Sequence, residues 1–584
     1  MGASAPAELP RPKPPFTGDA RERVDKLTMM DVAAWRAQLR QPALHPFGPS
    51  YFDTDSALAG RIVDGLLYGV DIGFKGDRSY SRDARNASST RDARTSALIG
   101  EAIAADVAAG YKAGPFARPP FAVFNVSPLS TVPKGDGIRL IHNLSHPFNG
   151  DSINASIDKE LYIMQCLRDA CAAIARFGRG CLLTKLDISA AFKRVPVRPE
   201  DRALLGLRWE DKYYYELVLP FGLRTSGYRW EMYAAALHFF FEKHLGVHLV
   251  IHYVDDFLLV APPGDVAAAT AQRSSVEALC ARLGAPLEHK KSIGPVTRLE
   301  FLGIELDTMA MSMHLSDKRV AALRALLADM GKRDRDCTYT DIVSLVGKLQ
   351  FAALVIRPGR AFTRRLLQTA YQMRAVRARD GRAEQRRLSS GALDDISWWS
   401  ELLADGWNKH SLLYEAEWEA APALGLTTDA CDTGYGGRFG RAWFQGRWSP
   451  MQLAHAMVEK RISMPYLELH ALTQAAVTWG HLWHGKRITF YCDAEASVKA
   501  VQKMRSRRDN MAELLRLLHH TAAQGSFDFR CVHIPGVTNH IADALSRGND
   551  VQATRALCPG VLLDDIATPA LPLPLLYRGP AARR

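Results

Sequence analysis

Two adjacent aspartates between two apolar runs constrain the fold of this chain more than any other feature of its sequence. Residues 249–260 read Leu-Val-Ile-His-Tyr-Val-Asp-Asp-Phe-Leu-Leu-Val, with Asp255 and Asp256 at the centre. Each apolar run predicts a buried strand, and the acidic pair falls at the hairpin turn, which contains no Gly, Pro or Asn. Buried carboxylates are costly without a compensating cation, and hard oxygen ligands favour Mg²⁺. An exposed hairpin tip with solvated acids is the alternative.

The size and charge of the chain indicate a multidomain protein with a polyanionic partner. Its 584 residues exceed what one core accommodates, so about three or four domains are expected. The formal net charge is +12, which suits a polyanion without identifying it. The nine cysteines form no CxxC pair, which argues against zinc and favours reduced thiols inside a cell, in the cytoplasm or nucleus. No secretory signal or membrane-spanning run is predicted.

From Phe121 onward the sequence changes to short apolar strands separated by turns. Residues 127–145 read as two strands joined by Lys134-Gly-Asp-Gly137, and Lys134 and Arg139 flank that turn. Two cations on neighbouring strands suit one shared anion, although two solvated basic residues beside a hairpin are the commoner case. Residues 182–186 predict a buried strand with Asp187 at its far end, which is where an α+β site collects ligands.

Periodicity and capping residues predict the elements around these strands. Helices are expected over residues 31–39, 96–113, 161–177 and 265–283, and after the caps Ser316 and Thr340. The stop signal Gly114-Pro115 ends the second of these helices, and residues 299–306 form a single strand. The arginine-rich residues 357–387 are either a solvated helix face or a contact to a nucleic-acid backbone.

A new unit is predicted from about residue 424, and it carries a second set of carboxylates. Residues 427–437 read as a strand that ends in a glycine turn, residues 488–493 as a strand, and residues 539–547 as the opening of a final helix. Four acids lie at a strand end or a helix start: Asp429, Glu468, Asp493 and Asp543.

Carboxylates on rigid backbone suit a two-metal reaction. In-line nucleotidyl transfer uses two divalent ions about 3.5–4 Å apart, and a strand-end Asp187 beside the Asp255–Asp256 hairpin provides bridging ligands for them. Five motifs then follow the order and spacing of a reverse transcriptase palm, which the chain resembles: residues 186–192, Leu219-Pro-Phe-Gly222, Tyr253-Val-Asp-Asp256, Lys291 and Phe301-Leu-Gly303. The resemblance implies that Asp187 and Asp255 hold two Mg²⁺ or Mn²⁺ ions and that Asp256 completes the acidic cluster.

The same resemblance implies roles for residues that would contact the incoming nucleotide. Lys134 and Arg139 would grip its triphosphate as charge-assisted donors. Lys291, with Lys290 as the alternative, would act as a general acid near the leaving pyrophosphate. Phe192 would close the sugar pocket against a ribose 2′-hydroxyl, so deoxynucleoside triphosphates would be preferred. Each of these cations has a simpler interpretation as a surface charge.

The second set resembles the four metal ligands of ribonuclease H, a hydrolase that uses two metal ions with water as the nucleophile. In this resemblance Asp429, Glu468, Asp493 and Asp543 would bind two further Mg²⁺ or Mn²⁺ ions. His533 lies ten residues before Asp543 and matches that family's mobile histidine. The triplet Asp432-Thr-Gly434 also spells the aspartic protease motif, but it lacks the usual apolar flanks and is interpreted as chance.

Further motifs narrow the resemblance to the reverse transcriptase–ribonuclease H region of DIRS-type retrotransposons, over about residues 50–548. They are Gly114-Pro-Phe, Pro119-Pro120, Ser127-Pro-Leu, Val132-Pro-Lys134, Val346-Gly-Lys-Leu-Gln-Phe and Pro358-Gly-Arg360. The departures from the family pattern are Ser145, Ser226-Gly227 and Ala494. None of them removes a metal ligand, and the first two bear on the positioning of template or nucleotide.

The predicted fold class is a multidomain α+β protein, with a right-hand polymerase of fingers, palm and thumb followed by a ribonuclease H-like α/β domain. Expected domains are a partly disordered N-terminal extension (1–95), fingers and palm (96–310), a mostly helical thumb and connection (311–420), the ribonuclease H-like domain (421–548) and a C-terminal tail (549–584).

The implied function is RNA- and DNA-directed DNA synthesis with removal of hybrid RNA, serving retrotransposon replication. Its partners would be an RNA template, a DNA primer, an RNA–DNA hybrid and deoxynucleoside triphosphates. The alternatives are a catalytically decayed or domesticated derivative that only binds nucleic acid, and a telomerase-like host polymerase, a class that lacks the ribonuclease part.

Overall fold

The structure is a computed structural model that describes residues 30–41, 56–134, 137–148, 150–162, 164–332, 334–380, 385–404, 410–412, 425–458, 461–506 and 508–570, with Val24, Leu27 and Trp418. Contacts within the chain separate a first unit, residues 1–173 and 180–299, from a second, residues 174–179 and 300–584. Both units combine helices and strands, so the predicted multidomain α+β class is confirmed.

The first unit contains several small sheets and their covering helices. Its helices are α1 (Val32–Leu39), α2 (Ser56–Tyr68), α3 (Ala93–Ala108), α4 (Leu167–Phe177), α5 (Ser226–Phe239) and α6 (Val266–Leu283). Its strands are β1 (Arg82–Asp83), β2 (Lys112–Phe116), β3 (Asn125–Val126), β4 (Leu129–Lys134), β5 (Gly137–His142), β6 (Leu182–Asp187), β7 (Gly206–Trp209), β8 (Lys212–Glu216), β9 (Val250–Tyr253), β10 (Asp256–Ala261) and β11 (Ile293–Val296). Helix α4 and strand β12 (Arg298–Phe301) run across the division between the units.

A four-stranded sheet in the order β11–β6–β10–β9 carries the aspartate hairpin. Strand β6 lies inside this sheet, and β10 is buried on both faces from Phe257 onward, which explains their nearly unbroken apolar sequences. The predicted hairpin is confirmed. Its turn consists of Val254 and Asp255, whereas Asp256 is already the first residue of β10.

A second sheet in the order β1–β3–β7–β8–β2 lies in the same unit, together with the hairpin of β4 and β5. Lys134 pairs with Gly137 in that hairpin, on either side of the predicted turn. The prediction for α3 was wrong at its end, because the helix stops at Ala108 and Gly114-Pro115 lies inside β2. Strand β2 is at the sheet edge and its register shifts between Ala113 and Phe116, so the missing proline N–H breaks no ladder.

The second unit contains the remaining elements. Its helices are α7 (Asp317–Met330), α8 (Tyr339–Ala352), α9 (Arg364–Asp380), α10 (Ser390–Leu402), α11 (Pro450–Ala456), α12 (Met464–Trp479), α13 (Glu495–Gln502), α14 (Asp509–Gly525), α15 (His540–Ser546) and α16 (Val551–Leu557). Its strands are β13 (Ile304–Asp307), β14 (Ser312–Leu315), β15 (Asp336–Thr338), β16 (Gln385–Arg387), β17 (His410–Leu412), β18 (Thr427–Ala430), β19 (Gly434–Phe439), β20 (Ala442–Arg447), β21 (Met457–Val458), β22 (Arg461–Ile462), β23 (Arg487–Cys492) and β24 (Asp528–His533).

The C-terminal part of the second unit is built on two sets of strands. Strands β18, β19 and β20 form an antiparallel meander, β23 pairs in parallel with β24, and β18 contacts β23. Helix α12 is buried on nearly every side, as its apolar sequence requires. The predicted glycine turn was wrong, since the glycines lie within β19. A Cβ on Gly434 would lie 2.6 Å from the Gly446 carbonyl, so close backbone approach explains this glycine.

Other boundaries differ for local reasons. Residues 299–306 form two strands rather than one, because Leu302 and Gly303 turn the chain at φ values of +50° and +79°. Helix α8 is capped by Thr338 rather than Thr340, in a capping box with Asp341. Helix α4 begins at Leu167 rather than near residue 161.

Helix α1 confirms the prediction for residues 31–39, and Asp31 accepts a capping hydrogen bond from the Ala34 N–H at 2.9 Å. Residues 1–23 and 571–584, parts of the predicted extension and tail, lie outside the described residues. Among the residues that the structure describes, no helix is both long and apolar enough to span a bilayer.

Candidate functional site

The first carboxylate cluster, Asp187 with Asp255 and Asp256, is brought together by strand register. Asp187 and Asp256 are direct partners on the antiparallel strands β6 and β10, which places both side chains on one face of the sheet. Asp255 occupies the adjoining turn. The three carboxylates predicted from the sequence therefore meet at one end of the sheet.

The turn that carries Asp255 is held by packing rather than by turn residues. Val254 has a φ of +58°, which a β-branched residue rarely adopts. Its carbonyl accepts a hydrogen bond of 2.7 Å from the Trp230 indole, and its side chain packs against the core. Tertiary contacts thus impose a turn geometry that glycine or asparagine usually supplies.

Two lysines compensate part of the negative charge of the first cluster. The Lys291 ammonium donates to both carboxylate oxygens of Asp187, at 3.0 and 2.9 Å. The Lys185 ammonium lies 3.0 Å from Asp256. Burial lowers the pKa of Lys291, but its hydrogen bond and charge interaction with Asp187 outweigh burial and leave that pKa raised. The pKa of Asp255 is raised, first by burial and then by repulsion from Asp256.

Arg139 and Phe192 are brought together on the ring of Phe221. Phe192 lies in a one-turn 3₁₀ helix, and its ring centre is 5.2 Å from that of Phe221. The Arg139 guanidinium lies 5.1 Å from the same ring centre. Lys134 ends strand β4, but its side chain lies outside the described part of the chain.

The second carboxylate cluster combines Asp429 and Glu468 with Asp493. Asp429 is on β18, Glu468 on α12, and Asp493 directly follows β23. Oxygens of Glu468 and Asp493 and the thiol of Cys492 lie within 4.8 Å of one another, a spacing that one metal ion can bridge. Asp429 accepts a hydrogen bond of 2.6 Å from the Ser546 hydroxyl.

Burial dominates the electrostatics of this second cluster. Desolvation, followed by repulsion from Asp429 and Asp493, raises the pKa of Glu468 to about 9. Desolvation likewise raises the pKa of Asp429 to about 6, although the Ser546 hydrogen bond opposes the increase. Without a cation, Glu468 is therefore protonated at neutral pH.

Asp543 and His533 lie at the rim of the second cluster. Asp543, in the first turn of α15, is half-buried and accepts hydrogen bonds of 2.8 to 3.0 Å from the Arg547 guanidinium. Its charge is near enough to raise the pKa of Asp429. A ring nitrogen of His533 lies 3.0 Å from the backbone carbonyl of Asp493. The structure thus brings all five predicted residues of the second set into one region.

The donor atoms of both clusters fit hard divalent cations. They are carboxylate oxygens, which Mg²⁺ and Mn²⁺ prefer, and they are held on strands and a buried helix. In the first cluster, two lysines face three carboxylates, so one negative charge lacks a partner. In the second cluster, Glu468 is neutral only because it is protonated. Divalent ions would supply the charge that each set lacks.

Some residues of these clusters were missed by the sequence reasoning. Lys185 precedes Asp187 by two residues, so strand alternation alone places it on the same face. Ser546 is 117 positions from its partner Asp429, and local sequence carries no signal for that contact. Trp230 supports the Asp255 turn from 24 positions away.

The arginine-rich stretch lines a cleft of about 630 Å³ in the second unit. Six arginines contribute to its wall: Arg364, Arg365, Arg386, Arg387, Arg505 and Arg516. Arg365 and Arg516 face the fully buried Asp395, and Arg387 lies 3.6 Å from Asp336. Arg364 donates to the Ser506 carbonyl, a neutral partner that leaves its charge in place.

Comparison with known proteins identifies part of the chain. Residues 139–306 match the family described as reverse transcriptase (RNA-dependent DNA polymerase), so this segment is a reverse transcriptase domain. Protein P of duck hepatitis B virus (strain China) is 28% identical over 146 residues, which make up 24% of this chain and 18% of that protein. The chain spans about a fifth of the length of this curated relative.

Solved structures of a foamy viral protease–reverse transcriptase are also similar to this chain. One of them, dRH in complex with double-stranded DNA, is 13% identical in sequence and has a TM-score of 0.47. The aligned region covers 89% of this chain and 84% of the foamy viral chain. Another complex with double-stranded DNA is 12% identical and has a TM-score of 0.45, and the aligned region covers 89% of this chain and 99% of that chain. A complex with an RNA/DNA hybrid is 11% identical and has a TM-score of 0.38, and the aligned region covers 93% of this chain and 88% of that chain.

Proposed function

We propose that this chain is an RNA-directed DNA polymerase that also copies DNA. The observation that carries the proposal is the register of Asp187 with Asp256, beside Asp255, within the segment that matches reverse transcriptases. Asp187 and Asp255 would hold two Mg²⁺ or Mn²⁺ ions, with Asp256 completing the cluster. When bound, such ions activate the attacking hydroxyl and stabilise the leaving group.

The residues around the first cluster would bind the nucleotide. Arg139, held over the Phe221 ring, and Lys134 would contact the triphosphate as charged donors. Phe192 would lie against the sugar and exclude a 2′-hydroxyl. Lys291 reaches the cluster through Asp187, and its ammonium would donate a proton to the leaving pyrophosphate.

A second activity, ribonuclease H, is supported by the second cluster. Asp429, Glu468 and Asp493 would bind two ions at the strand ends, and Asp543 would complete the set once Arg547 releases it. His533, beside the Asp493 backbone, would assist departure of the product. This activity would remove the RNA strand of a hybrid.

The partners follow from this chemistry. They are an RNA template, a DNA primer, their hybrid and deoxynucleoside triphosphates, and the arginine-lined cleft suits a polyanionic backbone. The foamy viral proteins named above were solved with double-stranded DNA and with an RNA/DNA hybrid, which agrees with such partners. We assign the fingers and palm to residues 96–310, the thumb and connection to 311–420 and the nuclease to 421–548, in a DIRS-type element of the cytoplasm or nucleus.

Primer extension tests the polymerase proposal. Purified protein with Mg²⁺ or Mn²⁺ is expected to extend a DNA primer on an RNA template, and Asp255→Asn to abolish extension. Asp211→Asn is the matched control, because Asp211 is exposed and asparagine tolerates its φ of +57°. Extension that survives in Asp255→Asn would contradict the assignment. Salt-dependent binding of nucleic acid without any extension would support a catalytically decayed derivative instead.

A further inference from the structure

The two lysines of the first cluster contact different carboxylates and differ in their freedom to move. Lys185 pairs with Asp256, and Lys291 pairs with Asp187. Only 17% of the Lys185 side chain is exposed, against 52% for Lys291. The two ion pairs therefore have different environments.

Backbone pairing increases this difference. Lys185 belongs to β6, where it is paired with Leu258 on β10 on one side and Ile293 on β11 on the other. Lys291 lies in a turn ahead of β11, where its N–H bonds to the Glu288 carbonyl at 3.0 Å. Lys291 can withdraw into solvent when a cation approaches Asp187. Lys185 is fixed at its backbone and covered at its side chain, so it stays with Asp256.

We propose that Lys185 is a positioning residue that holds Asp256 in an ion pair and keeps this carboxylate out of direct metal coordination. The metal ligands are then Asp187, whose lysine is exchangeable, and Asp255. The proposal deepens the proposed polymerase site, since it assigns the third carboxylate to charge balance. It rests on contacts of one sheet and the turn before β11, and it applies to the protein without bound nucleic acid.

Mn²⁺ binding to the free protein tests the proposal through a double-mutant cycle. Lys185→Met leaves a negative charge near the ions and should tighten Mn²⁺ binding about 10-fold, while Asp256→Asn leaves a positive charge and should weaken it about 10-fold. The double variant removes a neutral pair and should return to within about threefold of wild type. A double variant as weak as Asp255→Asn would show that Asp256 is a ligand and overturn the proposal. Lys185→Met without tighter binding would also overturn it.

The other ion pair supplies the matched control. Removal of both Lys291 and Asp187, as Lys291→Met with Asp187→Asn, should abolish Mn²⁺ binding at this site, because a true ligand has been lost. Lys185→Arg keeps the charge and should behave as wild type. These variants are measured in an Asp429→Asn/Asp493→Asn background, which silences the second cluster.

The design also separates folding and polymerase activity from metal binding. In Lys185→Met, Asp256 loses its partner at a largely buried site, which should destabilise this variant. The double variant has neither charge and should melt at a higher temperature than either single variant. If Lys185→Met fails to fold, comparison of the double variant with wild type and Asp255→Asn still decides whether Asp256 is a metal ligand. Failed primer extension with the expected Mn²⁺ pattern would contradict the proposed function and leave this inference standing.

Discussion

The two carboxylate clusters of this chain compensate their charge by different means. In the first, the ammonium groups of Lys185 and Lys291 lie within 3.0 Å of the carboxylates of Asp256 and Asp187. In the second, burial raises the pKa of Glu468 to about 9, so protons take the place of lysines. A metal ion entering the first cluster competes with a lysine side chain, and one entering the second displaces a proton.

This difference has a functional consequence. The two lysines stabilise the first cluster only at a pH at which both the ammonium groups and the carboxylates are charged, and divalent ions would have to displace only the more exposed Lys291. Metal binding at the second cluster should depend on pH, because carboxylates bind metal ions in the deprotonated form.

Separation of the two activities carries the largest expected effect. Asp255→Asn should reduce primer extension by about 10³-fold or more, since loss of a metal ligand removes about 4 kcal/mol of transition-state stabilisation. Asp493→Asn should cause a similar loss in cleavage of the RNA strand of a hybrid and leave extension unchanged. Both rates are measured on one labelled hybrid. If either variant impaired both activities equally, the assignment of one reaction to each cluster would be wrong.

Phe192 should affect only the first cluster, through the sugar of the nucleotide. Truncation as Phe192→Val opens space beside Phe221 and should raise ribonucleotide incorporation, relative to deoxynucleotide incorporation, by about 10- to 100-fold. The ratio of kcat/KM for the two nucleotides measures this change. Phe116→Val, which truncates a ring stacked on Tyr215 in the same unit, is the control. Unchanged sugar selectivity would show that Phe192 does not contact the sugar of the incoming nucleotide.

Stability against pH should distinguish the clusters without any substrate. The folded pKa of Glu468, about 9, lies above its ordinary value of 4.5. The folded protein therefore keeps a proton that the unfolded chain releases, and this stability is full below pH 4.5 and is lost as the pH rises toward 9. The free energy of unfolding of the metal-free protein should fall by up to about 1.4 kcal/mol per pH unit in this range.

Thermal melting in the presence of a chelator measures this dependence. Glu468→Gln removes the titrating group, so its melting temperature should exceed that of wild type at pH 8 and change less with pH. Asp211→Asn, at an exposed position of the first unit, should leave the slope intact. A wild-type slope that persists in Glu468→Gln would assign the pH dependence to another group.

The sequence predicted which carboxylates come together in each cluster better than it predicted the contacts that support them. Adjacent acids between apolar runs identified the hairpin, because strand periodicity is local and burial of charge is rare. The positive φ of Val254 depends on Trp230, and the hydrogen bond to Asp429 depends on Ser546, so both require the folded chain. The glycines of β19 suggested a turn, whereas close backbone packing explains them.

The smallest expected effect concerns the arginine-lined cleft of the second unit. Arg364 binds a neutral carbonyl and Arg505 is exposed at the wall, so both charges are available to a phosphate backbone. The affinity for a hybrid falls as salt rises, and Arg364→Gln or Arg505→Gln should each make the plot of log affinity against log salt less steep by about 0.9. Over a fourfold increase in salt, each variant should therefore lose about 3- to 4-fold less affinity than wild type. Arg441→Gln, an exposed arginine paired with Asp564, is the control and should leave the slope unchanged. Equal slopes in all variants would show that the cleft has no role in binding the hybrid.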